Sequence, residues 1–325
     1  MMRRMKKRAA KIIVLAAVLL TAVIPAIVIT SNQNTATNMY LSLLLYPNNS
    51  HSGYSNIQTR TKAVSTGFEY YVPFVENSDH GNPPLSSNLF IYSPVNTIIR
   101  IDSDNDDVFE TVLSITANNL TIYSTPTAGT HILCNDPVLI YYKYLSNNGG
   151  VYDDQSFAYT LLPVESLGTD YYLPSNPKII SIVATQDNTN IQVDTNNDGT
   201  PEATYNNLDR GIVRTYSNPP AGTHVTSNNP IFVVTVNYDW VNEDSTYGYS
   251  LIPTDRLGTE YWFNIDYKSL RINVINDYTA LHIVATQNET QLYVDSTNYD
   301  LNAGESVIHT FNKGSISITS DKPVG

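Results

Sequence analysis

The chain repeats itself three times, and that repetition decides what it can fold into. Gly67-Phe-Glu-Tyr70-Tyr71 returns as Gly168-Thr-Asp-Tyr171-Tyr172 and again as Gly258-Thr-Glu-Tyr261-Trp262. The segment around Asn96 and Thr97 that ends at Asp102 returns as IVATQDNTNIQVD ending at Asp194. It appears once more as IVATQNETQLYVD ending at Asp295. AGTHILCNDPV (128–138) becomes AGTHVTSNNPI (221–231) and GSISITSDKPV (314–324), which sets Pro137, Pro230 and Pro323 at intervals of 93 residues. Tyr159-Thr-Leu-Leu-Pro163 recurs as Tyr249-Ser-Leu-Ile-Pro253. Each unit must therefore be one supersecondary module, stacked on its neighbours.

Within a unit the apolar residues alternate with polar ones, as Ile191 and Val193 do, and Ile316 and Ile318. That is strand periodicity, and no 3.6-residue pattern competes with it. Ile231 to Tyr238 (IFVVTVNY) is β-branched and aromatic throughout, which predicts a strand covered on both faces. The Gly-x-[Asp/Glu]-Tyr-aromatic phrase reads as a turn followed by aromatic plugs between sheets. Six or seven short strands per unit predict an all-β fold of tandem β-sandwich-like repeats. A rival architecture shares strands between adjacent units. The predicted divisions are 1–30, 31–66, 67–158, 159–248 and 249–325. The second of these is a polar linker with one apolar island, Met39 to Tyr46.

Six of the 18 basic residues precede Ile12, and the rest of the chain carries twelve basic residues against thirty acidic ones. No clustered positive charge is left to displace counterions, so nucleic acid is excluded as a partner. Ile12 to Ile29 is uncharged over 18 residues. With the cationic segment before it, it reads as a cleaved secretory signal or a retained anchor helix, and both place the acidic body outside the membrane. The lone Cys134 excludes an intrachain disulfide framework and points to a prokaryotic surface rather than a small disulfide-stapled domain. Sequons occur at Asn48, Asn119 and Asn288.

YGYSLIPTDRLGTEYW, IVATQDNT, the turn from Leu301 to Glu305 and ITSDKPV resemble the repeats of the IgGFc-binding-protein N-terminal domain family. The resemblance covers Gly67 to Gly325 and is most specific in the second and third units. It implies an extracellular β-rich binding or scaffold module rather than an enzyme. It does not imply antibody binding, and the cysteine-rich modules of the animal members are missing here.

One acidic loop recurs in register. DSDNDDVFE supplies Asp102, Asp104, Asp106 and Glu110, and DTNNDGTPE supplies Asp194, Asn196, Asp198 and Glu202. Oxygen ligands at positions 1, 3 and 5, with a carboxylate further on, suit Ca²⁺, although the spacing is not that of an EF-hand. The competing reading is a plain hairpin turn, which Asn-Asp-Gly favours. In the third unit only Asp295 and Asp300 remain, and no site is expected there. No nucleophile elbow, zinc-binding helix or phosphate loop is found, and no cofactor other than Ca²⁺ is suggested. His131 and His224 occupy matching strand positions and are expected to pack. Cys134 matches Ser227 and Ser320 and is expected to be a half-buried small residue.

Several aromatics sit in polar stretches: Tyr144, Tyr152, Tyr238, Trp240 and Tyr247. Of these, Tyr238, Trp240 and Tyr247 form the best candidate contact loop. The leading reading is a structural or adhesive cell-surface protein whose partners are other surface proteins. The alternative is a carbohydrate-recognising module of a secreted glycan-degrading system. Only Val324 and Gly325 come after Pro323, so the third unit lacks the strand its siblings have after their proline. Two expectations arise: the chain is a fragment of a longer array, or a strand from another molecule fills the gap, for which Met39 to Tyr46 is a candidate.

Overall fold

A computed structural model describes residues 58–59, 66–74, 86–145, 156–237, 247–265, 279–311 and 314–325. The apolar N-terminal run, the island Met39 to Tyr46, Tyr152, Tyr238 and Trp240 lie outside these residues. No helix among the described residues is long and apolar enough to cross a membrane.

Among the described residues the fold is all-β apart from two single 3-10 turns, Val164–Ser166 and Thr254–Arg256. A short β1 (Gln58–Thr59) precedes the repeats. The first repeat comprises β2 (Thr66–Tyr71), β3 (Ser86–Ser93), β4 (Thr97–Asp102), β5 (Thr111–Ile115), β6 (Asn119–Ser124), β7 (His131–Leu145) and β8 (Ser156–Leu161). The second comprises β9 (Gly168–Tyr172), β10 (Ile179–Ala184), β11 (Thr189–Asp194), β12 (Ala203–Leu208), β13 (Val213–Ser217), β14 (His224–Asn237) and β15 (Tyr247–Ser250). The third comprises β16 (Gly258–Ile265), β17 (Thr279–Val284), β18 (Thr290–Val294), β19 (Thr297–Leu301), β20 (Ser306–Phe311) and β21 (Gly314–Val324).

One long strand organises each repeat. The first half of β7 lies between β2 and β4, and its second half between β3 and β8. β5 extends from β4 and β6 from β3, which gives the order β5-β4-β7-β3-β6. The second repeat reproduces this arrangement around β14. In the third, β21 pairs β16 and β18, while β17 pairs β20 and meets the residues after Pro323 at Ala285 opposite Val324. β1 pairs the outer edge of β16. The phrases that open the second and third units in the sequence, at Tyr159 and Tyr249, lie on β8 and β15 and pair back onto β7 and β14; counted with those preceding strands, the repeats share no ladder among the described residues.

The two halves of each long strand are separated by a bulge at the proline phrase. Residues 134–137 face the single residue Phe68, because Glu69 pairs Leu133 and Gly67 pairs Val138. The same offset recurs between Thr226 and Ile231 and between Thr319 and Val324. Proline has no N–H to give a ladder, and a bulge is where a strand tolerates one. The glycine-tyrosine phrase is therefore strand and not the turn the sequence suggested. Its first tyrosine seals the bulge. Tyr171 Oη accepts Gly168 N–H at 3.0 Å and donates to Ile231 O at 2.6 Å. Tyr261 repeats this with Gly258 N and Val324 O, both at 2.7 Å, and Tyr70 does so with Gly67 N and Val138 O. The second aromatic points to the opposite face. Tyr71 is buried there, but Trp262 is 50% exposed and plugs nothing.

Inside each repeat the core is built from β-branched and tyrosine side chains: Leu89, Ile91, Ile99, Ile101, Ile132 and Ile140 in the first, Ile180, Ile182, Ile191, Val193 and Val225 in the second. Burying each such side chain contributes about 2 kcal/mol. Ile231 to Val236 is buried on both faces, as its composition predicts. Ile231 and Val233 face the core of their own repeat. Phe232, Val234 and Val236 join the core of the first repeat, together with Phe74, Phe157 and Tyr159.

Candidate functional site

The acidic loop of the first repeat connects β4 to β5 and is held by its own carboxylates. Asp102, fully buried at the end of β4, accepts Asp106 N–H at 3.2 Å and Asp107 N–H at 2.9 Å. Glu110 Oε2 accepts Ser103 N–H at 2.8 Å, and Asp106 Oδ1 accepts Val108 N–H at 2.8 Å. These bonds bring ligand oxygens of Asp102, Asp104, Asp106 and Glu110 within 4.8 Å of one another, the one such gathering among the described residues. Lost solvation and the charges of Asp106, Glu110 and Asp102 hold the Asp104 carboxyl above its usual range.

The second loop, between β11 and β12, spends its oxygens differently. Asp194 Oδ2 accepts Gly199 N–H at 2.8 Å, while its Oδ1 is buried without a hydrogen-bond partner. Asn196 Oδ1 accepts Asp198 N–H at 3.0 Å, Asp198 Oδ1 accepts Thr200 N–H at 2.8 Å, and Glu202 Oε2 accepts Thr195 N–H at 2.5 Å. The backbone N–H of Thr200 lowers the Asp198 carboxyl, and that of Thr195 lowers the Glu202 carboxyl. In the third repeat Asp295 Oδ1 accepts Ser317 N–H at 2.9 Å.

Both loops also do something the sequence did not suggest: they dock on the next repeat. Asn105 Nδ2 donates to Arg210 O at 2.7 Å, and the Arg210 guanidinium pairs with Asp107. Asn197 Nδ2 donates to Ala303 O at 2.7 Å. Beside each docking asparagine two glycines meet backbone to backbone. A Cβ on Gly129 would lie 2.6 Å from Gly211 O, and one on Gly222 would collide with Gly304 O. All four glycines have positive φ, between 76° and 93°, where a side chain is strained in any case. The 3-10 turns cover the phrase glycines. Glu165 Oε1 accepts Phe68 N–H at 3.2 Å, and Pro253 leaves no room for a Cβ on Gly168.

The matching histidines pack, each between an aromatic and a carboxylate. His131, opposite Asp102 in the ladder, stacks on Tyr71 at 4.5 Å and meets Glu69 Oε1 at 2.9 Å. His224 stacks on Tyr172 at 4.2 Å and meets Asp170 Oδ2 at 3.1 Å. The hydrogen bond from His131 lowers the Glu69 carboxyl. Burial opposes ionisation of Asp170, but the His224 hydrogen bond and charge, together with a hydrogen bond from Thr254, outweigh it and lower the carboxyl too. Cys134 is buried rather than half-buried, and desolvation with the Glu165 charge pushes its thiol up to about 12. Of the polar-stretch aromatics, Tyr144 lies in the core against Phe157. Tyr247 stands on β15, half-buried and stacked on Tyr249 at 6.0 Å. Among the described residues, Phe68, Trp262 and Tyr293 are the most exposed aromatics, at 49%, 50% and 45% exposure. Trp262 was legible only as a plug, because alternation in a strand does not say whether a neighbour covers the outer face.

The sequence profile of the IgGFc binding protein family matches residues 157–325, more than half of the chain. No curated protein and no solved structure matches it. The match spans the second and third repeats, where the bulge, the tyrosine seal and the glycine joint all recur, and the chain thus belongs to the IgGFc binding protein family.

Proposed function

We propose that the chain is an extracellular structural or adhesive scaffold that presents stacked β-repeats to other surface proteins. The observation that carries this reading is the joint made twice from the same parts. An asparagine of one acidic loop and a glycine of one repeat clasp the turn of the next, Asn105 with Gly129 on Gly211 and Asn197 with Gly222 on Gly304. Such joints hold successive modules in fixed relation, which suits a scaffold. Export by the N-terminal apolar run and the family's binding modules agree with a location outside the cell. The solvent-facing Phe68, Trp262 and Tyr293 offer the kind of side chain that anchors a protein partner.

Within this reading Ca²⁺ stiffens the joints. The first loop gathers four carboxylate oxygens, and Asp194 Oδ1 is the buried side-chain atom of the second loop left without a hydrogen-bond partner. A hard cation would relieve both. The scaffold reading is tested by immobilising the purified chain and measuring retention of cell-envelope proteins beside a glycan array. Retention abolished by protease treatment of the envelopes is the expected result. Selective glycan binding that is lost in Trp240→Ala would replace it with the carbohydrate-recognising alternative.

A further inference from the structure

In every repeat a carboxylate stands two residues after the phrase glycine, and an aromatic two residues further on, on the same face of the strand. The pairs are Glu69 with Tyr71, Asp170 with Tyr172, and Glu260 with Trp262. In the first two repeats each pair holds a histidine of the long strand. His131, opposite Tyr71, lies parallel to its ring at 3° and meets Glu69. His224, opposite Tyr172, lies at 5° and meets Asp170. The pair is thus a seat for a flat group with N–H donors, one face against the ring and one edge on the carboxylate.

The third repeat keeps the seat and lacks the histidine. Ser317 stands opposite Trp262 at the position of His131 and His224. Its side chain is too short to cover an indole, and its hydroxyl donates to Asp295 Oδ1 at 3.5 Å. Trp262 is accordingly 50% exposed, where Tyr71 is 1% exposed. Trp262 Nε1 donates to Glu260 Oε1 at 2.8 Å, which fixes the indole beside the carboxylate. That bond does not close the seat, because in the first repeat Tyr71 Oη and His131 share Glu69 Oε1. Among the described residues no basic side chain pairs with Glu260 or Asp295.

We propose that Glu260 and Trp262 seat an arginine side chain of a partner protein. A guanidinium is flat, carries a fork of N–H donors and stacks on tryptophan, so it reproduces both contacts of the missing imidazole. Its charge meets Glu260 and Asp295 on a body with twelve basic against thirty acidic residues after Lys11. A neutral sugar ring would also stack, but it brings no charge to answer the two carboxylates. The inference rests on the scaffold reading and names the chemistry by which the scaffold holds its partner.

The test reads indole fluorescence from the purified full-length chain in detergent, carrying Trp240→Phe so that Trp262 is the sole tryptophan. Hexa-arginine and hexa-lysine, equal in charge, are titrated at about 0.15 M salt, where attraction beyond about 8 Å is screened. Hexa-arginine should quench Trp262 and bind about two- to fivefold tighter than hexa-lysine, the gain of an exposed stacked guanidinium. Glu260→Gln should weaken hexa-arginine about two- to fivefold. Ser317→His returns the siblings' histidine to the seat and should erase the preference for arginine. A melting temperature no lower than the parent's separates that filled seat from misfolding. Equal affinity for the two peptides, or a preference that survives Ser317→His, overturns the arginine seat. Quenching by maltohexaose that Ser317→His abolishes overturns it in favour of a sugar. If the seat fails and envelope proteins are still retained, the scaffold reading stands alone. If hexa-arginine binds as expected and no envelope protein is retained, the scaffold reading falls and the seat stands.

Discussion

Replacing Tyr171 by Phe removes one hydroxyl and nothing else, at the point where the second repeat closes its bulge. Two hydrogen bonds go with it, from Gly168 N–H at 3.0 Å and to Ile231 O at 2.6 Å. The ring is fully buried, so no water takes the hydroxyl's place without a shift of the core. Gly168 N–H and Ile231 O both lose their partner, at about 1–2 kcal/mol each, the lower part of the range for a buried polar group left unpaired. A destabilisation of about 2–4 kcal/mol is expected, concentrated where β9 meets β14. Hydrogen exchange read by mass spectrometry is the appropriate assay, because three repeats need not unfold in one step. Peptides covering residues 224–237 should exchange roughly 30- to 1,000-fold faster, at 1.4 kcal/mol per decade. Tyr172→Phe supplies the comparison. Its hydroxyl makes one long contact, 3.5 Å to Asn197 Oδ1, and its loss should change exchange less than about threefold. If the two variants behave alike, the tyrosine seal is not what holds the bulge.

The joints and the loops lead to three further outcomes. Gly222→Ala combines a left-handed φ of 86° with a collision against Gly304 O, and should cost about 2–5 kcal/mol; Gly199→Ala, at φ 88° with open space around it, should cost only about 1–2 kcal/mol. Equal melting temperatures for the two would remove the joint from the account. Calcium should raise the melting temperature and EDTA reverse it, with the gain lost in Asp104→Asn; calorimetry that detects no binding would leave the loops as docking elements alone. Glu69 has a depressed folded pKa, so its contribution is complete above the ordinary glutamate range and is lost as pH falls through the folded value. Glu69→Gln should therefore lower the melting temperature at neutral pH and flatten its acid limb, converging on the parent at low pH, and a variant whose acid limb matches that of the parent would refute the His131–Glu69 assignment.

Much of the fold was legible because strand periodicity and repetition are local signals. The alternation at Ile191 and Val193 places both in the interior whatever lies around them, and the dense run Ile231 to Val236 carries its two-sided burial in its composition. The recurring acidic loops were visible for the same reason, as oxygen side chains at short spacing. The physical limit of such signals is that they describe one chain segment against an average surrounding. The sequence showed Gly-x-[Asp/Glu]-Tyr as punctuation. Only the ladder revealed that its glycine faces a proline bulge 70 residues away in the first repeat, from Gly67 to Pro137, and that its tyrosine closes it. Trp262 and Tyr71 occupy the same repeat position, yet one is 50% exposed and the other 1%, because coverage of an outer face is decided by which neighbour packs there.

The sequence alone thus determined that this chain is an acidic array of β-repeats, with oxygen-rich loops recurring at fixed positions. Tertiary structure decided what those loops and faces meet. Asn105 and Asn197 are ordinary turn residues until the next repeat brings a carbonyl to them, and Gly222 is an ordinary turn glycine until Gly304 approaches it. Phe232 and Leu139 are both apolar at one repeat position, but only Phe232 has a repeat against it. Periodicity records which way a side chain points, whereas the partner it finds depends on long-range packing that no short window of residues contains.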